Sequence, residues 1–150
     1  MCLRFARAGD FDVMMLAGRY TILEQGALDV FLPTAVEKNI AILSAGVFNS
    51  GILATGSVPG ALYNYKPAPP DVVTRVQKIE VVCKRHNVEL AHAAMQFPLA
   101  HPAVASVVLG AVHPDEVKRN VASITKPIPA AFWAEIKAEG LIPAPAPIPQ

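Results

Sequence analysis

Cysteine, charge and long apolar runs are all scarce in this chain of 150 residues. Its two cysteines, Cys2 and Cys83, are too few for the disulfide framework of a small secreted domain, and we expect a reducing, cytoplasmic setting. No apolar run approaches the ~18 residues that a membrane span needs. Lysine and arginine (13) balance aspartate and glutamate (12), so we expect no attraction to nucleic acid or to an anionic membrane.

The composition is that of a folded protein, because 53% of the residues are hydrophobic and only 17% are charged. Disordered chains have the opposite balance. A chain of this length is expected to form one domain rather than two.

Three short apolar runs predict strands, and amphipathic segments between them predict helices. Continuous apolar runs of this kind are typical of parallel strands that helices cover on both faces. The alternation of strands and helices predicts an α/β fold with a parallel sheet. The predicted strands are 12–17, 40–45 and 103–109, and the predicted helices are 1–8, 26–39, 70–86, 89–99, 114–124 and 129–139.

The predicted sheet has too few strands to stand alone. A closed (β/α)₈ barrel needs about 250 residues, and three parallel strands leave two open edges. Either the chain pairs with another copy through those edges, or it is a piece of a larger barrel. The first helix begins at Met1 without a capping residue, which favours the second alternative. The segment 46–70 is rich in glycine and proline and is predicted to be a long loop. Residues 143–150 alternate proline with alanine or isoleucine, which predicts an extended tail.

Several familiar site motifs are absent from the sequence. There is no G-x-G-x-x-G, and the segment from Gly51 to Gly56 has P-loop spacing but is followed by Ser57 instead of lysine. His86 and His92 do not form a zinc-binding motif, so we interpret them as ordinary surface or packed histidines and expect no metal site.

Two loops remain as candidate sites, since each directly follows a predicted strand. They are 46–53, which is rich in small residues, and 110–120, which leads into a helix. Small residues let a backbone approach a ligand closely, and a helix N-terminus after a parallel strand suits an anion. The alternative interpretation is a Gly-rich turn and an ordinary strand-to-helix loop.

These segments resemble the C-terminal half of the aldo/keto reductase family over about residues 1–142. The resemblance rests on GRYTILEQ at 18–25, NSGIL at 49–53, AMQFPLAHP at 94–102 and the stretch 108–120. Tyr63-Asn64-Tyr65 followed by Pro67 to Pro70 is similar to the subgroup of D-threo-aldose (L-fucose) 1-dehydrogenases and pyridoxal 4-dehydrogenases. The resemblance implies an α/β fold, a partial (β/α)₈ TIM barrel that comprises about strands six to eight with their helices. The domain would be 1–142, and 143–150 its tail.

The resemblance also implies a nicotinamide cofactor. Glu116 stands where members that prefer NADP have an arginine for the 2′-phosphate, which implies NAD rather than NADP. Tyr63 and Tyr65 would belong to a substrate loop. The residues implied in cofactor binding are Phe48, Ser50, Gly51 and Ile52 after the second strand and Gly110, Ala111, Glu116 and Asn120 after the third.

The sequence departs from the family in the reactive half of the site. The tyrosine that stacks on the nicotinamide and the glutamine that binds its carboxamide fall on Ala45 and near Ala17. None of the family's catalytic Asp, Tyr, Lys and His positions falls in this chain. The implied function is NAD-dependent oxidation of a cyclic hemiacetal, at C1 of an aldose or on pyridoxal, to a lactone, with this chain supplying the adenosine and pyrophosphate contacts. The alternative is a non-catalytic half-barrel, a homodimeric binding module or a relic.

Overall fold

The fold is a three-stranded parallel sheet with helices packed against one of its faces, in a computed structural model that describes residues 1–149. The sheet order is β1-β2-β5, so β2 is central and β1 and β5 are edges. All three predicted strands are confirmed, with bounds that differ by at most one residue at either end. The strands are β1 (Val13–Ala17), β2 (Ala41–Ala45), β3 (Leu62–Tyr63), β4 (Lys66–Pro67) and β5 (Val104–Val108).

The two faces of the sheet differ in burial. Leu16 and Ile42 lie on the face that the helices cover, where they are 6% and 0% exposed. Val13 and Met15 point to the other face and are 51% and 54% exposed. The expectation that helices would cover both faces is therefore wrong for these residues: one face of the sheet is open.

Residues 1–149 form seven α-helices, and two of the predicted helices are much shorter than expected. The predicted helix 26–39 divides into a 3₁₀ turn at Gly26–Leu28 and a helix that begins at Phe31, because the ring of Pro33 would clash with the carbonyl four residues earlier. The predicted helix 89–99 likewise divides, into an α-helix that ends at Gln96 and a 3₁₀ turn at Phe97–Ala100 that contains Pro98. The helices are α1 (Cys2–Ala8), α2 (Phe31–Glu37), α3 (Ile52–Thr55), α4 (Pro70–Arg85), α5 (Leu90–Gln96), α6 (Pro114–Ile124) and α7 (Ala130–Ala138).

The segment 46–70, predicted as a long loop, contains regular structure. A 3₁₀ turn at Asn49–Gly51 leads into α3, and β3 pairs with β4 as an antiparallel hairpin. Asn64 and Tyr65 connect the two strands with φ angles of 50° and 62°. Two consecutive residues with positive φ form a type I′ turn, whose twist matches that of a hairpin. The segment is thus an ordered insertion that follows the carboxyl end of β2.

One arginine ties three distant segments of the chain together. The Arg75 guanidinium on α4 donates hydrogen bonds to the Leu23 carbonyl at 2.9 Å, the Gln25 side chain at 3.0 Å and the Leu141 carbonyl at 2.8 Å. The planar fork of arginine suits three fixed acceptors better than an ammonium group would. The loop after β1 is therefore fixed to α4 and to the end of the chain.

The C-terminal tail is not extended throughout. A hydrogen bond of 3.0 Å from the Ala146 N–H to the Pro143 carbonyl closes a turn, and Ala146 is fully buried. Gln150, the last residue of the predicted tail, lies outside the described residues. Within residues 1–149, no helix is both long enough and apolar enough to span a bilayer.

Candidate functional site

A cavity of about 490 Å³ lies between the loop after β2, the helix α5 and the helix α6. Four of the predicted site residues line it, namely Phe48, Gly110, Glu116 and Asn120. The two candidate loops therefore meet at one site, as expected for loops at the same end of adjacent parallel strands. Other side chains that line it are Glu89, His92, Met95, Arg119 and Ser123.

Helix α6 presents one face to this cavity. Pro114 occupies its first turn, where the missing N–H costs little, and acidic residues follow, as the positive end of the helix favours. Glu116, Asn120 and Ser123 are separated by four and three residues, so they share a face, and Arg119 lies on the same face. One wall of the cavity is therefore formed by an acidic, a basic and two neutral polar side chains.

The Glu116 carboxylate is held in place by the backbone. Its Oε2 atom accepts a hydrogen bond of 2.8 Å from the Val112 N–H. This bond lowers the pKa of Glu116 below its ordinary value, so the side chain is ionised at neutral pH. The backbone of His113 acts in the same direction. A fixed carboxylate favours a neutral hydrogen-bond donor and disfavours an anion.

The predicted residues Ser50, Gly51 and Ile52 make hydrogen bonds or pack within the glycine-rich loop and the neighbouring hairpin. The Gly51 N–H donates to the Phe48 carbonyl at 3.0 Å, and the Ile52 side chain is fully buried. The Ser50 hydroxyl accepts a hydrogen bond of 3.0 Å from the Tyr65 N–H. Of the described residues that line the cavity, none belongs to the stretch 50–52. The Gly51 N–H is thus used within the loop rather than directed at the cavity.

The remaining predicted residues lie around the cavity or away from it. Ala111 lines an adjacent space of about 330 Å³ that shares Asn120 with the main cavity. Tyr63 donates a hydrogen bond from its hydroxyl to the Glu24 carboxylate. Tyr65 is 91% exposed at the tip of the hairpin. The two tyrosines therefore belong to the hairpin and do not enter the cavity.

Several residues of the cavity wall, among them His92 and Arg119, were missed by sequence reasoning. His92 is 7% exposed, and its Nε2 atom lies 3.2 Å from the Glu89 carboxylate. The other Glu89 oxygen lies 3.2 Å from the Lys126 ammonium group. Burial lowers the pKa of His92, and Glu89 opposes this effect only in part. The packing of α5 against α6 brings His92 to the cavity, and no local sequence pattern predicts this packing. The position of Arg119 could have been predicted, because it lies three residues after Glu116 on the same face of α6.

The carboxyl ends of β1 and β2 carry only small side chains. Ala17 pairs with Ala45 in the sheet, and the Gly18 N–H donates to the Ala45 carbonyl at 2.8 Å. These two positions have no polar group beyond the backbone. Residues 1–149 also contain no cluster of three or more His, Cys, Asp or Glu side chains that could hold a metal ion.

Comparison with known proteins gives a consistent result. The aldo/keto reductase family profile matches residues 3–139. The chain is 41% identical over 133 residues to pyridoxal 4-dehydrogenase from Microbacterium luteolum, covering 89% of this chain and 39% of that protein. It is 41% identical over 143 residues to D-threo-aldose 1-dehydrogenase from a Pseudomonas species, covering 95% and 44%.

The structural likeness agrees with the sequence likeness. The aldo-keto reductase AKR11C1 from Bacillus halodurans superposes with a TM-score of 0.68 at 24% identity, over 94% of this chain and 44% of that one, which supports the fold. The chain thus spans less than half the length of these relatives. Since the family profile covers most of its residues, this chain belongs to the aldo/keto reductase family.

Proposed function

We propose that this chain is the C-terminal, nucleotide-binding part of an NAD-dependent dehydrogenase, corresponding to about strands six to eight of a (β/α)₈ barrel. The observation that carries the proposal is the single cavity lined by Phe48, Gly110, Glu116 and Asn120. Its volume of about 490 Å³ is in the usual range for small-ligand sites, roughly 300–1,000 Å³. Asn120 and Phe48 would bind the base, and Glu116 the ribose.

The cofactor preference follows from the charge of Glu116. A ribose 2′-hydroxyl is a neutral donor, and a carboxylate can accept its hydrogen bond. A 2′-phosphate at the same place would meet an ionised carboxylate that the Val112 N–H holds in position. Like charges at contact distance repel. We therefore propose NAD over NADP.

The proposed reaction is oxidation of a cyclic hemiacetal to a lactone, on an aldose or a pyridoxal-like substrate. The names of the relatives, pyridoxal 4-dehydrogenase and D-threo-aldose 1-dehydrogenase, support this class of substrate. NAD, when bound, would accept the hydride from the hemiacetal carbon. The base that takes the hydroxyl proton would come from the part of the barrel outside this chain. The hairpin with Tyr63 and Tyr65 would border the substrate.

We also propose a cytoplasmic location, because the chain has only two cysteines and both are free.

Calorimetric titration of the chain with NAD and NADP tests the cofactor assignment. We expect NAD to bind about tenfold more tightly, which corresponds to about 1.4 kcal/mol. Glu116→Gln should reduce this preference, because it removes the charge and keeps the size. Asp115→Asn is the matched control, because it removes the same charge from the preceding residue, whose side chain pairs with Lys118. Equal loss of preference in both variants, or tighter binding of NADP by the wild type, would refute the assignment.

A second candidate is a non-catalytic half-barrel that forms a homodimer. The open edges β1 and β5 and the exposed Val13, Met15 and Val108 favour it. Sedimentation of the purified chain, together with the intact mass of the native protein detected through an antibody to 143–149, separates the two candidates. A native species about twice the chain's 15.9 kDa would support the dehydrogenase. A stable dimer of 15.9 kDa chains would support the half-barrel.

A further inference from the structure

We propose that His101 is an acid-sensitive latch that holds the amino end of β5 against β2, and that protonation of its Nδ1 atom releases this end of the strand. The inference is independent of the proposed function, because it concerns the sheet and not a ligand. Three observations carry it, namely the hydrogen bonds of His101 in the turn before β5, the attachment of that turn to β2, and the uncharged surroundings of the imidazole.

His101 closes the turn that leads into β5. Its Nδ1 atom accepts a hydrogen bond of 3.1 Å from the Ala103 N–H, and its carbonyl accepts one of 2.9 Å from the Val104 N–H. Its own N–H donates to the Pro98 carbonyl at 3.2 Å. An imidazole nitrogen accepts a hydrogen bond only when it carries no proton. The turn therefore requires the neutral ring with its proton on Nε2.

The turn is joined to the sheet through Ala103. The Ala103 carbonyl accepts a hydrogen bond of 2.7 Å from the Ile42 N–H of β2. The strand pairing is irregular directly after this point, since Ile42 lies opposite Val104. Leu43 lies opposite Ser106, so the residue of β5 between these pairs has no partner in β2. Such a bulge disrupts the ladder locally, and the amino end of β5 depends on Ala103 for its attachment.

The surroundings of the imidazole are aromatic and buried. His101 is 7% exposed, and the Tyr20 ring lies edge-on to it with 5.5 Å between the ring centroids. Tyr20 is fully buried and also packs against Phe97. Burial raises the pKa of Tyr20, so its hydroxyl is neutral in acid and at pH 7 and cannot compensate a positive charge on His101.

The charged side chains on the elements near this turn are exposed or paired elsewhere. They are Glu89, His92 and Lys126 around α5, Arg85 and Glu135 between α4 and α7, and Asp12 before β1. Among the groups of residues 1–149, none shifts the pKa of His101 by its charge. Burial alone lowers this pKa below its ordinary value of 6.5. An imidazolium at this place would be buried without a counter-charge, which is unfavourable.

Acid therefore weakens the latch. In the released state His101 has its ordinary pKa, and in the closed state a lower one, so the released state binds more protons below about pH 6.5. Once Nδ1 is protonated, its hydrogen faces the Ala103 N–H, and two donors cannot bond to each other. Ala103 must turn away, and the Ile42 N–H loses its acceptor.

Hydrogen exchange at two adjacent amides of β2 measures this release. The Ile42 N–H is bonded to Ala103 on the β5 side, whereas the Ala41 N–H is bonded to the Asp12 carbonyl on the β1 side at 2.9 Å. Each rate is divided by that of an unstructured peptide at the same pH to give a protection factor. Between pH 7.5 and pH 5 we expect the protection of Ile42, relative to that of Ala41, to fall about tenfold.

Two variants attribute the effect to His101. His101→Asn removes the titrating ring but keeps an acceptor, because an asparagine oxygen can bond the N–H two residues on. The relative protection of Ile42 should then be the same at both pH values, although loss of the ring lowers the overall stability. His113→Gln is the matched control, since His113 is exposed and precedes α6. It should show the fall of the wild type.

The ring itself provides a second measurement that requires no variant. Nitrogen NMR of the isotope-labelled wild type at pH 7.5 should show His101 as the tautomer protonated on Nε2. The tautomer protonated on Nδ1 would overturn the inference. So would equal relative protection of Ile42 at both pH values, or an undiminished fall in His101→Asn. None of these results concerns NAD binding, so the proposed function stands or fails separately.

Discussion

Replacing Gly56 with alanine is expected to destabilise the chain far more than the same replacement at Gly60. Gly56 ends α3 with φ 84° and ψ −170°, a combination that is essentially restricted to glycine. A Cβ atom at this position would lie 2.2 Å from the Oε1 atom of Glu80. The carboxylate cannot withdraw without loss, because it accepts hydrogen bonds from the Ser57 N–H at 3.0 Å and the Ser57 hydroxyl at 2.6 Å.

The magnitude follows from these two effects. Backbone strain at such a conformation costs about 1–3 kcal/mol. Displacing the Glu80 carboxylate weakens two charged hydrogen bonds, and the loss of one of them costs about 1.5–3 kcal/mol. The sum is about 2.5–6 kcal/mol, or a fall in Tm of roughly 5–25 °C for a chain of this size. Gly60 has φ 80° but no atom within 4 Å of a Cβ, so its replacement should cost the strain alone.

Urea titration monitored by circular dichroism measures both free energies of unfolding. A third variant, Glu80→Gln, separates the contributions, because it keeps the side-chain volume and removes the charge that Ser57 binds. If Gly56→Ala proved no more destabilising than Gly60→Ala, the steric argument would be incorrect. A large loss in Glu80→Gln with none in Gly56→Ala would show that the carboxylate adapts to the new methyl group.

Two further predictions concern titratable groups. Cys83 is buried, and its burial raises its pKa to about 12. Ellman's reagent at pH 8 should therefore modify one thiol per folded chain, that of the partly exposed Cys2, and both thiols only in denaturant. Rapid modification of both thiols in the folded chain would contradict this prediction. The pKa of Glu135 is lowered, first by its hydrogen bond to His86 and then by that to Arg85, so its contribution to stability is present above about pH 4.5, the pKa of an unfolded glutamate, and is lost as the pH falls through its folded pKa. Denaturation of Glu135→Gln should accordingly depend less on pH below about 4.5 than that of the wild type, and unchanged dependence would contradict the pairing.

The sheet could be predicted closely from the sequence because its signal is local. Runs such as Ile40 to Ala45 are short, apolar and bounded by turn residues, and β2 occupies nearly the same positions. The hairpin was missed because its turn is Asn64-Tyr65, and tyrosine carries no preference for positive φ. The exposure of Val13 could not be inferred either, since an apolar run shows that burial is favoured but not whether a covering element is present.

The candidate site was predictable only where a family resemblance or a helical period extended to it. Glu116 and Asn120 fall on one face of α6 and line the cavity together. The local structure of the stretch 50–52 could not be predicted, because the Gly51 N–H is used within a 3₁₀ turn. This turn depends on left-handed backbone at Asn49 and Ser50, which the sequence does not reveal.

The order of the strands in the sheet has a consequence for the kinetics of folding. β1 and β2 are neighbours in the chain and can pair early, whereas β5 reaches β2 only after the hairpin, α4 and α5 have been placed. Such a long closure slows folding and leaves one edge of the central strand uncovered in the meantime. Refolding of this chain should therefore be slow and sensitive to protein concentration, and agents that shield strand edges should raise the yield of folded chain.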